Sequence, residues 1–273
     1  MKFYKYQGAG NDCLIADNRD GSIVISTQQI AALCDRRYGV GADGLMLLET
    51  SDTYDFRMNY YNSDGSGGMM CGNGGRCMVA FAADMGMTHF DFDAADGFHT
   101  AQIMNSEGRV KTVRLKMKDV SEIVRYEALE GPSVPSKGCF LDTGTRHYVR
   151  FVEGLEEYDV VAEGRDIRYN ASELMPIGAN VNFVEPYDGG IKIRTYEKGV
   201  EDETFACGTG IVASCVAAYC EGIRPSAEEN GRVRYDVKAK RDILAVDFKP
   251  AEIAEDVWLT GPAVFVAEII LPD

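Results

Sequence analysis

Two stretches of the chain share one pattern, and that pattern decides how the rest of the sequence is interpreted. Residues 70–87 read MCGNGGRCMVAFAADMGM, and residues 206–223 read ACGTGIVASCVAAYCEGI. Each contains Cys-Gly-polar-Gly, continues with small and apolar residues, and returns to glycine. The two cysteines, Cys71 and Cys207, lie 136 positions apart in a chain of 273 residues. A repeat at half the chain length predicts a duplicated structural unit.

Three further pairs of segments recur in the same order. GADGLMLLE at 41–49 resembles GANVNFVE at 178–185, and RMNYYNSDG at 57–65 resembles KIRTYEKGV at 192–200. A glycine followed by polar and then apolar residues occurs at 10–15 and again at 144–149. Four pairs at a nearly constant offset favour duplication over a chance coincidence of glycine-rich loops.

Short β-like runs dominate the secondary structure that the sequence predicts. They are rich in Val, Ile, Tyr and Phe and are bounded by Gly, Asp and Asn. The predicted strands are Lys2–Tyr6, Cys13–Asp17, Leu45–Glu49, Phe56–Tyr61, Val110–Met117, Tyr148–Val152, Val181–Glu185, Ile191–Tyr196, Val233–Val237, Ile243–Phe248 and Val264–Leu271. Many strands with few helices predict an α+β fold and not a doubly wound sheet.

Three helices are expected. Ser26 is a suitable cap for one that begins at Thr27 and runs towards Arg37. The other two begin just after Cys71 and Cys207, and both are apolar on nearly every face, which predicts that they are buried.

The chain is expected to form two domains. The boundary falls near residues 118–122, and the last strand, after Gly261-Pro262, is expected to return to the first half and close its sheet. The predicted division is therefore residues 1–117 plus 263–273, carrying Cys71, and residues 118–262, carrying Cys207.

Composition excludes several classes of partner. The formal net charge is −15, which repels phosphate backbones and anionic membrane faces, so nucleic acid is not an expected partner. The sequence contains no stretch of 18 apolar residues, so no membrane span is predicted. The N-terminal MKFYKYQGAGND lacks the apolar run of a signal peptide. We therefore expect a cytoplasmic protein.

The eight cysteines are expected to be free thiols, because the chain is long and carries no export signal. None forms a CxxC pair, and only three histidines accompany them, so a zinc site is not predicted. For six of the eight, a buried and inert core position is the preferred interpretation. Cys71 and Cys207 differ because each stands in the same glycine-flanked context at the start of a helix.

That context suits acid–base chemistry. Free backbone N–H groups at a helix N-terminus bind carboxylates, and the helix dipole favours thiolate over thiol. A thiolate on one side of an α-carbon can take its proton while a thiol on the other side returns one, which inverts the stereocentre. N–H groups aimed at the carboxylate would stabilise the carbanion. Neither a metal nor a cofactor such as pyridoxal phosphate is required.

With these motifs in view, the chain closely resembles the diaminopimelate epimerase family along essentially its whole length. The resemblance rests on GAGND at 8–12, GVGADG at 39–44, YNSDGS at 61–66, MCGNGGRC at 70–77, TGTRH at 143–147, GANVNFVE at 178–185 and YEKGVEDETFACGTG at 196–210. It implies interconversion of LL- and meso-diaminopimelate, a step towards lysine and peptidoglycan. It also implies two pseudo-symmetric domains, each a curved, mostly antiparallel sheet wrapped around a central helix, and often a homodimer.

The resemblance also implies roles for individual residues. Cys71 and Cys207 match the two catalytic bases, and His147 and Glu197 match groups that tune or position them. The remaining matches are substrate-binding groups: the helix-end residues Gly72, Asn73, Gly208 and Thr209, and the amides of Asn11, Asn62 and Asn180. Without the resemblance, the three asparagines would be read as ordinary turn residues.

Three positions depart from the family pattern. Lys198 stands where the family usually has an arginine that grips the remote carboxylate, so the charge is kept but the bidentate fork is lost. Thr145 replaces a common asparagine or serine, and Gly44 replaces the glutamine of some members. These changes concern the distal half of the substrate, not the cysteines.

Three alternatives to diaminopimelate epimerisation follow. One is a two-cysteine racemase of a different amino acid, which Lys198 and Thr145 suggest. Another is a thiol hydrolase that pairs Cys71 or Cys207 with His147, although such an enzyme needs one cysteine and not two matched ones. The last is a non-catalytic protein that binds an amino acid.

Overall fold

The computed structural model describes residues 1–68 and 70–272, and within it the chain divides into two compact units. Unit 1 comprises Met1–Lys116 and Thr260–Asp273, and unit 2 comprises Met117–Leu259. Residue 273, the end of the first predicted domain, lies outside the described residues. Strands predominate over helices in both units, as the predicted α+β class requires.

Unit 1 holds seven strands and two helices among its described residues, together with the last part of a long strand. The elements are β1 (Lys2–Gly8), β2 (Asn11–Asp17), α1 (Thr27–Cys34), β3 (Gly44–Glu49), β4 (Phe56–Asn62), α2 (Gly72–Asp84), β5 (Asp91–Ala94), β6 (Gly97–Glu107) and β7 (Val110–Lys116). Each of the five strands predicted for residues 1–117 lies at one of these strands.

Unit 2 continues the chain order and ends with the first part of that long strand. Its elements are β8 (Val124–Tyr126), β9 (Gly138–Asp142), β10 (Arg146–Phe151), α3 (Val160–Asn170), β11 (Asn180–Tyr187), β12 (Gly190–Glu197), β13 (Asp202–Thr204), α4 (Gly208–Cys220), β14 (Ala227–Glu229), β15 (Arg232–Lys238), β16 (Ile243–Pro250) and β17 (Ala254–Ile270).

The sheet of unit 1 is closed by a strand from the far end of the sequence. Strands β1 and β2 are antiparallel, β2 and β3 parallel, β3 and β4 antiparallel, and β4 and β5 parallel, and β6 pairs antiparallel with both β5 and β7. The C-terminal part of β17 pairs antiparallel with β1 and with β7. The expected return of the last strand is confirmed by these pairings.

Unit 2 repeats this order of strand directions. Strands β9 and β10 are antiparallel, β10 and β11 parallel, β11 and β12 antiparallel, β12 and β15 parallel, and β15 and β16 antiparallel. The repeated order in space matches the repeated motifs in the sequence.

One buried helix fills each sheet. Helix α2 packs against β1, β2, β3, β4, β6 and β7, and α4 packs against β9, β10, β11, β12 and β16. Ten of the thirteen residues of each helix are buried. The helices therefore begin after Cys71 and Cys207 and are buried, as predicted.

The parallel pairs β2/β3 and β10/β11 are each joined by a crossover helix. Helix α1 connects β2 to β3, and α3 connects β10 to β11. Ser26 caps α1 in a capping box with Gln29, but the helix ends at Cys34 instead of running towards Arg37. It stops because the backbone of Asp35 is extended and its carboxylate accepts from the N–H groups of Arg37 and Tyr38.

No helix among the described residues is long and apolar enough to span a membrane.

Candidate active site

Cys71 caps the helix that fills unit 1. Its backbone is extended (φ −110°, ψ 119°), and its sulfur accepts from the N–H of Gly74 at 3.5 Å. The helix can begin here because Gly72, Gly74 and Gly75 leave room in its first turn. A Cβ on Gly74 would lie 3.2 Å from Met46 Sδ and 3.4 Å from the Cys71 Cβ. The thiol is half-buried at the positive end of the helix dipole.

Asn11 lies beside this thiol and is held in one orientation. Its Oδ1 accepts from Cys71 Sγ at 3.7 Å, and its Nδ2 donates to Asp43 Oδ2 at 3.0 Å. A carboxylate only accepts hydrogen bonds, so Asp43 fixes the amide nitrogen on its own side and turns the oxygen towards Cys71.

Asp43 belongs to a charged cluster with Asp12, Arg36 and Lys5. Arg36 donates to both carboxylates, and Lys5 Nζ lies 2.7 Å from Asp12 Oδ2. Burial opposes ionisation of Asp12, but hydrogen bonds from Arg36 and Lys5 outweigh it and lower the pKa of Asp12 to about 2. Burial raises the pKa of Asp43, against the hydrogen bonds that it accepts from the Asp12 backbone and from Arg36, and these bonds hold the carboxyl group in place beside Asn11.

Asn73 is the buried second residue of α2, and it is held by an arginine. Nη2 of Arg76 donates to Asn73 Oδ1 at 2.9 Å, and Nη1 donates to the carbonyl of Gly72 at 3.3 Å. Arg76 is fully buried. Asn62, at the end of β4, donates from Nδ2 to Ser66 Oγ at 3.0 Å.

Cys207 is the N-cap residue of α4 in unit 2. Its backbone is extended (φ −101°, ψ 111°), and its side chain is nearly buried. Its sulfur lies 3.5 Å from the hydroxyl of Thr209. The carbonyl of Thr209 accepts from Thr143 Oγ1 at 3.1 Å, which ties the first turn of α4 to the loop before β10.

His147 lies behind Thr209 and is completely buried. Its Nε2 is 2.9 Å from Thr209 Oγ1 and 2.9 Å from Thr145 Oγ1, while its Nδ1 is 3.1 Å from Asn182 Nδ2. Burial lowers the pKa of His147 to about 3. The imidazole is therefore neutral at any ordinary working pH.

Asn180 lies two residues before Asn182 on the same face of β11. Its Nδ2 donates to the carbonyl of Arg146 at 3.2 Å, and its Oδ1 accepts from the backbone N–H of Lys198 at 2.8 Å. The amide thus holds the end of β12 beside β10. Lys198 itself is exposed. Glu197 accepts from Thr204 Oγ1 at 2.9 Å.

Within each unit, then, the structure brings together part of the predicted set. Unit 1 joins Asn11 to Cys71, and unit 2 joins His147 to Cys207 through Thr209. Asn180 and Lys198 form a second contact of unit 2.

The other six cysteines are set apart by their surroundings. Cys13, Cys34, Cys77, Cys139 and Cys215 are buried, and Cys220 is half-buried. Burial raises the pKa of each of these thiols, to about 12 for Cys77 and about 11 for Cys34 and Cys139. These groups stay protonated, so the surroundings of all six favour inert thiols.

No group of three or more His, Cys, Asp and Glu side chains in residues 1–68 and 70–272 is placed to hold a metal ion.

Two residues of the site escaped the sequence analysis. Asp43 orients Asn11, and Asn182 contacts His147. Asn182 carried a usable signal, since GANVNFVE places two asparagines two positions apart and therefore on one face of a strand. Asp43 carried no such signal, because an aspartate between glycine and small residues is typical of a turn.

Comparison with known proteins gives one family. The family model described as diaminopimelate epimerase matches residues 3–121 and 139–266. A protein of Chlorobaculum tepidum named diaminopimelate epimerase is 43% identical, and the match covers 94% of this chain and 95% of the relative. One of Flavobacterium psychrophilum with the same name is 42% identical over 98% and 99% of the two chains.

Solved structures show the same fold at low identity. A phenazine biosynthesis protein of the PhzF family from Bacillus anthracis superimposes with a TM-score of 0.73, at 15% identity, over 100% of this chain and 99% of that one. A probable proline racemase from Agrobacterium radiobacter gives a TM-score of 0.67, also at 15% identity, over 99% and 92%. These likenesses show that the two-unit architecture is a known α+β fold.

Proposed function

Because the chain belongs to the diaminopimelate epimerase family, we propose that it interconverts LL- and meso-diaminopimelate with Cys71 and Cys207 as the two bases. The observation that carries the proposal is the matched placement of these cysteines. Each caps a glycine-led, buried helix inside a sheet of the same strand order. The relatives that bear this name cover nearly the whole chain.

The reacting carboxylate is held by helix N-termini. The N–H groups of Gly72 and Asn73 lie in the first turn of α2, and those of Gly208 and Thr209 lie in the first turn of α4, where backbone N–H groups point out of the end of a helix. Such N–H groups bind carboxylates, and they strengthen their hold as charge develops on the substrate in the transition state.

The chemical step is a proton transfer on each side of one carbon. The thiolate of one cysteine takes the α-proton and becomes a thiol, and the electron pair of the C–H bond passes into the α-carbon and its carboxylate. The thiol of the other cysteine then delivers its proton to the opposite side and becomes a thiolate. The pair ends in the reverse protonation state, ready for the opposite reaction.

The remaining polar groups position the substrate and the thiols. Asn11, Asn62 and Asn180 offer amides to the amino and carboxylate groups, and Lys198 offers a charge to the remote carboxylate. His147 acts as a neutral dipole, since its pKa of about 3 leaves it uncharged. Glu197 completes the set beside Cys207 as a further positioning group. The protein is also proposed to work in the cytoplasm as a homodimer.

The hydrolase alternative is disfavoured by the surroundings of His147. A Cys/His hydrolase needs an imidazole that takes the proton of its cysteine. Here Nε2 lies between two threonine hydroxyls, and one of them, that of Thr209, lies between the ring and the sulfur of Cys207. A low pKa weakens the imidazole further as a base.

A racemase of a different amino acid is the second candidate. The exposed lysine at position 198 can pair with a remote carboxylate but cannot grip it with two parallel N–H bonds. A substrate other than diaminopimelate would therefore differ from it at the end that pairs with Lys198.

Deuterium exchange tests the proposal. In deuterated water with LL-diaminopimelate, the enzyme should place deuterium at one α-carbon and produce the meso isomer. Cys71→Ser and Cys207→Ser should each abolish epimerisation. Cys220→Ser, at the other end of α4 from Cys207, is the matched control and should retain activity. Exchange with another amino acid but not with diaminopimelate would support the second candidate, and full epimerisation by either catalytic variant would refute the two-base mechanism.

A further inference from the structure

The two cysteines have different surroundings although their units repeat one another. The sheet registers allow a residue-by-residue comparison. In unit 1, Met46 of β3 is paired with Ile15 of β2 and with Tyr60 of β4. In unit 2, Asn182 of β11 is paired in the same way with Val149 and with Thr195. Met46 and Asn182 therefore occupy equivalent positions.

The same comparison relates the neighbours of these two residues. Cys13 is paired with Gly44, two positions before Met46, and His147 is paired with Asn180, two positions before Asn182. The equivalents of His147, Asn182 and Thr195 are thus Cys13, Met46 and Tyr60. Behind Cys207, the side chains of His147, Asn182 and Thr195 are connected by hydrogen bonds. The equivalent positions behind Cys71 hold two sulfur-containing side chains and an aromatic ring.

Gly74 of α2 and Gly210 of α4 show that Met46 and Asn182 each pack against the first turn of the buried helix in their own unit. A Cβ on Gly74 would meet Met46 Sδ at 3.2 Å and the ring of Tyr60 at 3.3 Å. A Cβ on Gly210 would overlap Asn182 Oδ1 and would lie 3.2 Å from the ring of His147. The Asn182 amide is thus packed directly under the first turn of α4.

The orientation of that amide is fixed by its partners. Asn182 Nδ2 lies 3.1 Å from the carbonyl of Tyr148, which can only accept, so the nitrogen must be on that side. Its Oδ1 accepts from Thr195 Oγ1 at 3.0 Å. The second N–H of Nδ2 then points to His147 Nδ1. Both N–H groups and the oxygen of this buried amide are engaged by these three contacts.

A donor at Nδ1 decides where the imidazole carries its proton. A neutral histidine has one N–H and one bare nitrogen. Because Nδ1 receives a hydrogen bond from Asn182, the proton must be on Nε2, which then donates to the threonine hydroxyls. If Nε2 were bare, one of those hydroxyls would have to turn its own proton towards the ring.

We propose that Asn182 is a positioning residue that holds His147 as the Nε2–H tautomer and thereby keeps the hydroxyl proton of Thr209 available to Cys207. Thr209 Oγ1 accepts from Nε2–H and, across a contact of 3.0 Å, from the hydroxyl of Thr145, so its own proton points to the sulfur 3.5 Å away. A hydroxyl donor stabilises the thiolate over the thiol. The inference deepens the proposed function, on which it rests, by giving Cys207 a built-in hydroxyl donor.

The first test uses the unmodified enzyme without substrate. Nitrogen-15 NMR of protein labelled at histidine distinguishes the two tautomers and the charged ring. The chain has three histidines, so loss of one set of signals in His147→Gln identifies the buried ring. We expect His147 to carry its proton on Nε2 throughout the pH range in which an ordinary histidine titrates. A proton on Nδ1, or a charged ring, would overturn the inference.

The second test changes the amide. Asn182→Asp replaces the donor by an acceptor, so the His147 proton should move to Nδ1 and leave Nε2 bare. In a Cys71→Ser background, the alkylation rate of Cys207 by iodoacetamide at neutral pH should then fall about tenfold, the change for one pKa unit. Met46→Leu, at the equivalent position of unit 1, is the matched control and should alter neither the ring signals nor that rate.

Asn182→Met provides a second test in case Asn182→Asp does not fold. Methionine is the residue at the equivalent position of unit 1. Because it offers no donor to Nδ1, His147 should no longer be held as the single Nε2–H tautomer. An unchanged tautomer of His147 in both Asn182 variants, or a changed tautomer with an unchanged alkylation rate of Cys207, would refute the inference.

Turnover separates this inference from the proposed function. Asn182 is completely buried and cannot touch substrate, so Asn182→Asp should lower kcat and leave KM for diaminopimelate nearly unchanged. A raised KM with an unchanged kcat would count against a positioning role. Failure of the wild-type enzyme to epimerise diaminopimelate would refute the proposed function alone, because the NMR and alkylation results involve no substrate.

Discussion

At the scale of single residues, the neutral His147 makes stability depend on pH. Its pKa is about 3 in the folded protein and near the ordinary 6.5 in the unfolded chain. Between these values the unfolded chain binds one proton more, so this contribution to stability is complete above pH 6.5 and is lost as the pH falls towards 3.

Comparison with His147→Gln isolates that contribution. Denaturant unfolding of wild type and variant at about pH 7 and pH 5 should show that the wild type loses roughly 2 kcal/mol more than the variant, at about 1.4 kcal/mol per pH unit below 6.5. An equal loss in both proteins would mean that the buried ring is already charged at pH 5.

Asp43 makes a second prediction at this scale. Removing its carboxylate in Asp43→Ala frees the amide of Asn11 to turn its nitrogen towards Cys71. A hydrogen bond to a charged group contributes about 1.5–3 kcal/mol, so kcat/KM should fall at least about tenfold. Asp20→Ala, an exposed carboxylate of the same unit, should have no effect on kcat/KM. Wild-type turnover by Asp43→Ala would show that the orientation of Asn11 is set elsewhere.

The residues also show where sequence reasoning ends. The matched glycine contexts of Cys71 and Cys207 are visible in the sequence because they repeat. The contact of Asn182 with His147 joins residues 35 positions apart in the chain, which meet through the parallel register of their strands. A single sequence does not display that register, so the two asparagines of GANVNFVE indicate a polar strand face but not the side chain that it contacts.

At the scale of elements, the glycines of the two helix-start motifs are not equivalent. A methyl group on Gly210 would strike the fixed amide oxygen of Asn182, whereas one on Gly74 would meet the flexible end of Met46. Gly210→Ala should therefore destabilise the protein by about 1–3 kcal/mol, as overpacking does, and Gly74→Ala by less. Urea unfolding of the two variants measures the difference, and equal losses would contradict the rigid packing under α4.

Helix α3 shows how an element can escape prediction. Its sequence, VVAEGRDIRYN, has a glycine at its centre, which reads as a helix breaker. In the structure Gly164 packs against Tyr196 so closely that a Cβ would overlap its side chain. The glycine is thus needed for the approach of helix to sheet. Strand β6 was missed for a different reason, because most of its residues are exposed and it is held by pairing with β5 and β7.

At the scale of the whole molecule, β17 links the stability of unit 1 to the far end of the sequence. A chain ending at Pro262 would lose the strand that pairs with β1, including the pairs of Lys2 with Ile270 and of Gln7 with Val264. We expect amide hydrogen exchange to rise throughout β1 and β2 while β10, β11 and β12 stay protected. Uniform loss of protection in both units would contradict the proposed division into two domains.

The two-unit organisation was within reach of the sequence because duplication leaves repeated motifs at a fixed offset. Eleven strands and the two buried helices follow from apolar patterns and glycine punctuation. The closing of unit 1 by β17 was also foreseen. The crossover helix α3 and the short strands were not, since their formation depends on what they pack against and not on their own composition.

The pairing of β1 with β17 also sets an order of events during synthesis. Strand β1 is made long before its partner, because Lys2 pairs with Ile270, which lies 268 positions later in the chain. Unit 2 is continuous and can fold while that partner is still being made, whereas one edge of β1 stays unpaired until β17 is complete. The nascent chain therefore keeps an open strand edge in β1 throughout the synthesis of unit 2, and at this edge it can pair with other chains.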